Sequence, residues 1–175
     1  IQSQSYDSNL VDAIVIADNC TDDTAQVARR AGAIVYERFN LEKVGKGYAL
    51  DYGFKQIDKD KGLDYYDGYF IIDADNILEE DYIEQMNHVF DNGYRIVTSY
   101  RNSKNFAANW ISFGYGLWFL REAKFINNAR MILGVSCAVS GTGFLVSSEI
   151  IKENRGWKHH LLTEDIEFSV DNMIH

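Results

Sequence analysis

Residues 69–76 read Tyr69-Phe70-Ile71-Ile72-Asp73-Ala74-Asp75-Asn76, a short run of bulky apolar residues that leads straight into two carboxylates. Such a run is typical of a strand that is buried on both faces of a parallel sheet. Ligands of open α/β sheets bind at the carboxyl edge of the strands, so we expect Asp73 and Asp75 at the rim of a site. Side chains two residues apart share one face of a strand, so both carboxylates aim at one point if the strand continues that far.

The two acids of this segment predict a cation site. Two carboxylates this close repel each other unless they share a proton or hold a cation between them. Oxygen ligands suit Mg²⁺ or Mn²⁺, which often combine one or two carboxylates with the phosphates of a substrate. The pair therefore predicts a metal that holds a diphosphate. An acidic turn that caps the next helix is the alternative, and the spacing alone does not separate the two.

Composition limits the function classes. The chain has 175 residues, of which 46% are hydrophobic, which is enough for one domain with a substantial core. Its formal net charge of −9 argues against nucleic acid as a partner, and equally against polyanionic membrane surfaces, because both require a cationic footprint. Cys20 and Cys137 lie in no paired motif, so we expect two reduced thiols of a cytosolic protein. No apolar run is long enough to cross a bilayer. Both chain ends look cut, which predicts a piece of a longer protein.

The first part of the chain alternates strands and helices, which predicts an α/β fold with a mostly parallel sheet flanked by helices. Strands are expected at 12–17, 33–37, 69–72 and 95–100. Asp18 follows the first strand, where it could accept a hydrogen bond from a ligand. Lys46 stands at the start of the second helix between two glycines, which would allow a ligand to approach the backbone closely. This is a plausible anion site, although a solvated lysine is the more common explanation.

The second part of the chain has a different character. Residues 109–126 are apolar over too much of a helical circumference for an ordinary surface helix. We expect them to be buried against the sheet or to rest on something outside the chain. Their Trp and Tyr content leaves a membrane interface open beside simple core packing.

Three further segments carry candidate polar residues. Residues 140–143, which are Ser140-Gly141-Thr142-Gly143, predict a flexible turn that leaves room beside a ligand before the next strand. Thr163-Glu164-Asp165 predicts the start of a last helix, where acids also suit the helix dipole. The expected apolar face of this helix consists of Ile166, Val170 and Met173. Arg101 and Lys104 could approach a phosphate or a sugar, and a surface position is equally compatible with the sequence.

Taken together, these segments resemble glycosyltransferase family 2, particularly the membrane-associated branch with the cellulose and hyaluronan synthases. The opening Pro-x-x-Asn-Glu segment and the Gln-x-x-Arg-Trp motif of processive members do not occur in this chain. The matching residues follow the family's order across nearly the whole chain, and they are Ile14-Val15-Ile16-Ala17-Asp18-Asn19-Cys20-Thr21-Asp22, Gly45-Lys46-Gly47-Tyr48-Ala49-Leu50, Ile71-Ile72-Asp73-Ala74-Asp75, Ser140-Gly141-Thr142-Gly143-Phe144 and Thr163-Glu164-Asp165.

The resemblance implies a GT-A fold and an inverting transfer of a sugar from a nucleotide-diphosphate sugar to a hydroxyl of a glycan or lipid acceptor. A UDP-sugar is favoured by family analogy. The single catalytic domain would have a nucleotide-binding half (1–105) and an acceptor-side half (106–175). We expect the full-length protein at the cytoplasmic face of a membrane, held there through segments outside this chain.

The resemblance also implies roles for individual residues. The metal, Mg²⁺ or Mn²⁺, would lie on the two acids of the D-x-D motif, and the last acid of the T-E-D motif, Asp165, would be the general base. The implied donor-binding residues are Asp18, Lys46, Asp73 and Asp75. The implied acceptor-side residues are Ser140, Gly141, Thr142, Gly143 and Glu164.

Two other functions remain open at this point. One is a non-catalytic module that binds a nucleotide sugar or a glycan. The other is a phosphohydrolase of the HAD type, with Asp73 as nucleophile and Asp75 as acid. That class usually has Thr two residues after the second acid, where this chain has Ile77.

Overall fold

The computed structural model describes residues 1 and 3–174. Gln2 and His175 lie outside the described residues. The five strands are β1 (Ile14–Asp18), β2 (Ile34–Arg38), β3 (Gly68–Ile71), β4 (Ile96–Thr98) and β5 (Phe144–Ser147). The α-helices are α1 (Thr24–Arg30), α2 (Lys46–Asp60), α3 (Tyr82–Phe90), α4 (Trp110–Leu120), α5 (Asn128–Ile132), α6 (Ser148–Glu153) and α7 (Glu164–Ile174). A 3₁₀ turn (Ser8–Leu10) precedes β1, and a π-helical segment (Arg121–Asn127) joins α4 to α5.

The strands form two sheets. Strands β1 and β2 pair in parallel, with Ile14 opposite Ile34 and Asp18 opposite Arg38. In the second sheet β5 lies between β3 and β4 and runs antiparallel to both. The α/β class is therefore confirmed, whereas the expected mostly parallel arrangement is wrong for the three-stranded sheet. An apolar run shows that a strand is buried but does not encode its direction, and β5 came from the part of the chain without an alternating pattern.

The main core lies where β3 and β5 meet α2, α6 and α7. Phe144, Val146, Ile151 and Phe168 are completely buried there, and the Trp157 ring stacks on Phe168 at 5.0 Å between centroids. Phe168 lies in the second turn of α7 and packs into this core. The contact holds the beginning of α7 next to the end of β3.

Helix α7 buries a different face from the one expected from the sequence. The sequence predicted an apolar face of Ile166, Val170 and Met173, but all three side chains are exposed. The buried side chains of α7 are instead Glu164, Phe168 and Ser169. The helix is thus fixed by one aromatic side chain and two polar ones.

Helix α4 is not buried against the sheet, contrary to one of the two expectations. Trp110 is 82% exposed and Trp118 is 59% exposed, while the side chains that α4 buries are Ser112 and Gly116. The helix begins at Asn109, whose side chain accepts hydrogen bonds from the N–H groups of Ile111 and Ser112. Within the described residues, no helix combines the length and the apolar character needed to cross a membrane.

Candidate active site

The turn after β3 carries the two acids of the D-x-D segment. The strand ends at Ile71, and the N–H of Asn76 donates to the carbonyl of Asp73 at 3.0 Å. Asp73 and Asp75 therefore lie in a turn and not on one face of a strand. The Asp75 side chain is exposed and accepts a hydrogen bond from Nδ2 of Asn76 at 3.0 Å, whereas Asp73 is half-buried.

Lys46, the first residue of α2, reaches this turn. Its Nζ lies 2.6 Å from Oδ1 of Asp73 and also donates to the carbonyl of Gly141. The same Nζ lies 3.8 Å from Oε1 of Glu164. One ammonium thus joins three segments that are far apart in the sequence, which excludes the explanation of a solvated surface lysine. The four residues Lys46, Asp73, Gly141 and Glu164 are called the lysine cluster below.

The turn at residues 140–143 connects the D-x-D segment to the T-E-D segment. Gly141 and Gly143 have φ of +66° and +70°, a conformation that favours glycine. The N–H of Gly141 donates to Oδ2 of Asp165 at 2.6 Å. Thr142 Oγ1 accepts from the N–H of Asp73 at 2.8 Å and donates to Oδ1 of Asn76 at 2.9 Å. The predicted acceptor-side turn therefore touches both acidic motifs.

Glu164 and Asp165 open α7 and differ in environment. Glu164 is 8% exposed, and its burial raises its pKa, an effect that the charge of Lys46 opposes. Asp165 also accepts a hydrogen bond from the N–H of Ile166 at 2.9 Å. Its two oxygens are thus each fixed by a backbone N–H, which orients the carboxylate beside Gly141.

The two glycines around Lys46 have different functions. Gly45 has φ of +126° and open space where a side chain would be, so a ligand could approach there. A Cβ on Gly47 would instead overlap the carbonyl oxygen of His159. The expected close approach of a ligand is therefore wrong for Gly47, where the chain that precedes the T-E-D segment packs directly on α2.

Asp18 is engaged by a partner that the sequence reading missed. Nη1 of Arg38 lies 2.5 Å from Oδ1 of Asp18, and Nη2 of the same arginine donates to the carbonyl of Lys43 at 2.5 Å. The Arg38 side chain is only 8% exposed. No hydrogen bond or ion pair between described residues joins Asp18 to the lysine cluster. Both residues end neighbouring strands, and this shared position was the available signal.

Arg101 and Lys104 both lie at the site. Nη2 of Arg101 donates to Oγ of Ser140 at 2.6 Å, and the guanidinium lies 3.9 Å from Oε2 of Glu122. Lys104 donates to the backbone carbonyl of Asp75. Arg101 is half-buried, whereas Lys104 is exposed at the surface beside the D-x-D turn, and contact of either residue with a phosphate or a sugar stays a prediction. Glu122 had no signal in the sequence, because it lies in the apolar segment.

The whole sequence matches a known protein family. The sequence model described as glycosyltransferase-like family 2 matches residues 1–175, which is the whole chain. The chain belongs to glycosyltransferase family 2. A comparison with curated protein sequences gives no match. The resemblance drawn from the motifs is confirmed, and the α/β architecture of this family 2 domain is that of a GT-A fold with a small sheet.

Family membership makes glycosyl transfer the general activity. The two D-x-D acids are the candidate ligands for a metal ion in this domain. One oxygen of Asp73 is taken by Lys46, and Asp75 faces solvent. The described residues contain no group of three or more His, Cys, Asp or Glu side chains that could hold an ion. Mg²⁺ and Mn²⁺ often use one or two carboxylates and take their other ligands from substrate phosphates and water. The two acids fit an ion of this kind when a diphosphate completes the site.

Proposed function

We propose that this family 2 glycosyltransferase moves a sugar from a nucleotide-diphosphate sugar, by family analogy a UDP-sugar, to a hydroxyl acceptor with inversion at the anomeric carbon. One observation carries the proposal. The Gly141 backbone accepts from Lys46 at its carbonyl and donates to Asp165 at its N–H, at 2.6 Å. The lysine that holds Asp73 and the candidate base are thus attached to the same peptide segment.

Asp165 would be the general base of this reaction. In the proposed step the acceptor oxygen forms a bond to the anomeric carbon while the bond from that carbon to the diphosphate oxygen breaks. The acceptor proton goes to Asp165, and the nucleoside diphosphate leaves with the electron pair. A positioned base contributes typically about 10²–10⁴-fold to a rate. The two backbone hydrogen bonds orient the carboxylate before the acceptor arrives.

Lys46 would bind the diphosphate of the donor. Its ammonium is held by carboxylates and a carbonyl at the edge of the sheet, next to the exposed Asp75. An incoming diphosphate offers oxygens of higher charge, so the lysine can exchange Asp73 for a phosphate. Mg²⁺ or Mn²⁺ on Asp73 and Asp75 would neutralise charge on the leaving diphosphate as a Lewis acid. Asp18 would contact the base or ribose through the oxygen that Arg38 leaves free.

The acceptor would enter on the other side of Asp165. Ser140, Gly141, Thr142, Gly143 and the buried Glu164 form the wall that we assign to a glycan or lipid acceptor. We also propose the cytoplasmic face of a membrane as the location, which the two free thiols of Cys20 and Cys137 support because reduced cysteines are typical of the cytosol. Attachment through segments outside this chain is part of the same proposal.

Asp165→Asn tests the proposed function. Asparagine keeps an oxygen that can accept from Gly141 but cannot take the acceptor proton. We expect the rate of transfer to fall by about 10²–10⁴-fold with donor affinity unchanged. Asp171→Asn, on the same helix, is the matched control and should keep its rate. A normal rate in Asp165→Asn would refute the assignment, and donor binding without any turnover in the unmodified protein would favour a binding module.

A further inference from the structure

Helix α4 is inverted relative to an ordinary surface helix. It turns its small residues, Ser112 and Gly116, towards the protein, and a Cβ on Gly116 would overlap the ring of Phe106. Its large apolar side chains point outwards. An amphipathic helix normally buries its apolar face, so this arrangement indicates an apolar environment on the outer side.

The exposed apolar surface continues through the π-helical segment and α5. We call it the apolar ridge. Its members are Trp110, Ile111, Phe113, Tyr115, Leu117, Trp118, Phe125, Met131, Ile132 and Leu133, all of them exposed. Exposed apolar groups that are scattered singly need no explanation, but ten of them within 24 consecutive residues mark an interaction surface.

The charges within the ridge are opposite in sign to those of the whole chain. Residues 110–135 contain three cations, Arg121, Lys124 and Arg130, against the single acid Glu122. The acid lies 3.9 Å from Arg101, while Arg121 and Lys124 are exposed, with the Arg121 guanidinium 5.5 Å from the Trp118 ring centre. A local net charge of +2 thus occurs in a chain of net charge −9. The expectation that polyanionic membranes are disfavoured was drawn from the net charge of the whole chain, and this segment has a net charge of opposite sign.

We infer that the apolar ridge binds the surface of an anionic lipid bilayer, with α4 lying in the interfacial layer. Trp and Tyr favour that layer, and exposed Arg and Lys beside them reach anionic headgroups. α4, the π-helical segment and α5 follow one another over residues 110–132, but this stretch carries four charged residues, and no described helix is both long and apolar enough to cross a membrane, so the ridge lies on the surface. A second copy of the chain is the less suitable occupant, because it would bring together two ridges that each carry a net charge of +2.

The orientation of the site follows from this contact. Glu122, between the exposed Arg121 and Lys124, lies against Arg101, which donates to Ser140 in the turn beside Asp165. The acceptor-side turn is therefore attached to the membrane-binding segment. This consequence rests on the proposed function, whereas binding to a bilayer does not.

Co-sedimentation with vesicles tests the inference. The chain is mixed, without any donor, with vesicles of equal parts phosphatidylcholine and phosphatidylglycerol, and with vesicles of phosphatidylcholine alone. We expect binding to the anionic vesicles and at least about tenfold weaker binding to the neutral ones. The emission of Trp110 and Trp118 should shift to the blue, because their rings enter a less polar layer. The third tryptophan, Trp157, is only 2% exposed in the free protein and should not contribute to the shift.

Two pairs of variants locate the contact. Trp110→Ser with Trp118→Ser should weaken binding at least about tenfold, and Arg121→Gln with Lys124→Gln should remove the preference for anionic vesicles. The matched controls are Leu10→Ser with Tyr65→Ser, which are exposed apolar residues elsewhere, and Lys55→Gln with Lys59→Gln on α2. Both controls should bind normally.

Three results would overturn the inference. The first is failure of the unmodified chain to sediment with anionic vesicles. The second is equal binding by the tryptophan variant. The third is a dimer of the unmodified chain, detected by light scattering, that is absent in the tryptophan variant. That result would assign the ridge to a second copy. Since no donor is present, each result leaves the proposal of sugar transfer unaffected.

Discussion

The Nζ of Lys46 lies 2.6 Å from Oδ1 of Asp73, so the first residue of α2 is bonded directly to the turn that follows β3. The same ammonium donates to Gly141, which in turn holds Asp165. Lys46 thereby links the beginning of α2 to the turn after β3 and, through Gly141, to the beginning of α7. We therefore expect substitutions of Lys46 to affect both the D-x-D and the T-E-D segment.

Lys46→Met should weaken donor binding. Methionine keeps the length of the side chain but loses the charge, and hydrogen bonds to charged groups contribute about 1.5–3 kcal/mol. We expect the Kd for a nucleoside diphosphate, measured by calorimetry, to rise at least about tenfold. Lys55→Met on the exposed side of the same helix is the matched control. Equal affinities for the two variants would show that Lys46 is only structural.

Arg38→Met should destabilise the fold much more than Arg29→Met. The Arg38–Asp18 pair is largely buried, and removal of one partner leaves a charge without compensation, at a cost of about 3–5 kcal/mol. The Arg29–Glu37 pair, which involves the same strand, is exposed and should contribute less than about 1 kcal/mol. Urea unfolding of both variants gives the comparison. Equal losses of stability would contradict the structural role of the Asp18 pair.

The sequence allowed most of the local elements to be predicted, because they depend on local patterns. The strand expected at 69–72 is found one residue earlier, and the lysine cluster consists of residues that the sequence had singled out, although their roles stay predictions. The direction of β5 and the partner of Asp18 depend on contacts between distant segments, which periodicity does not encode. The D-x-D acids would share one face only if the strand continued as far as Asp75, but it stops at Ile71 and a turn follows.

Gly47→Ala should damage both the fold and the site. The added methyl group would overlap the His159 carbonyl, which is backbone and cannot rotate away, so α2 and the T-E-D segment must move apart. Overpacking of this kind costs typically about 1–3 kcal/mol. Gly114→Ala, in α4 with open space around it, is the matched control and should be neutral or stabilising. Thermal unfolding checks the difference, and two equal melting temperatures would contradict the close packing.

Lowering the pH should reduce the stability of the fold because of His159. This side chain is almost completely buried, and burial lowers its pKa, although Glu167 and Asp171 oppose the shift. The folded protein therefore resists protonation, while the unfolded chain binds a proton below its ordinary pKa of about 6.5. The free energy of unfolding is then expected to decrease as the pH falls through about 6.5 towards the folded pKa.

Urea unfolding at about pH 7.5 and about pH 5.5 measures this dependence on either side of the ordinary histidine pKa. His159→Phe, which keeps an aromatic ring against Trp157, should flatten it. His88→Gln removes an exposed histidine and should leave the dependence unchanged. An unchanged pH dependence in His159→Phe would assign the effect to other groups.

The most direct test of the account is calorimetric binding of UDP and a UDP-sugar, with and without Mn²⁺, to the unmodified chain and to Asp75→Asn. Asp75 is exposed and makes no contact with the lysine cluster among the described residues, so its loss should spare the fold. We expect binding that requires Mn²⁺ and is lost in Asp75→Asn. Tight binding that is the same in both proteins and independent of Mn²⁺ would contradict the assignment of metal and diphosphate to this turn.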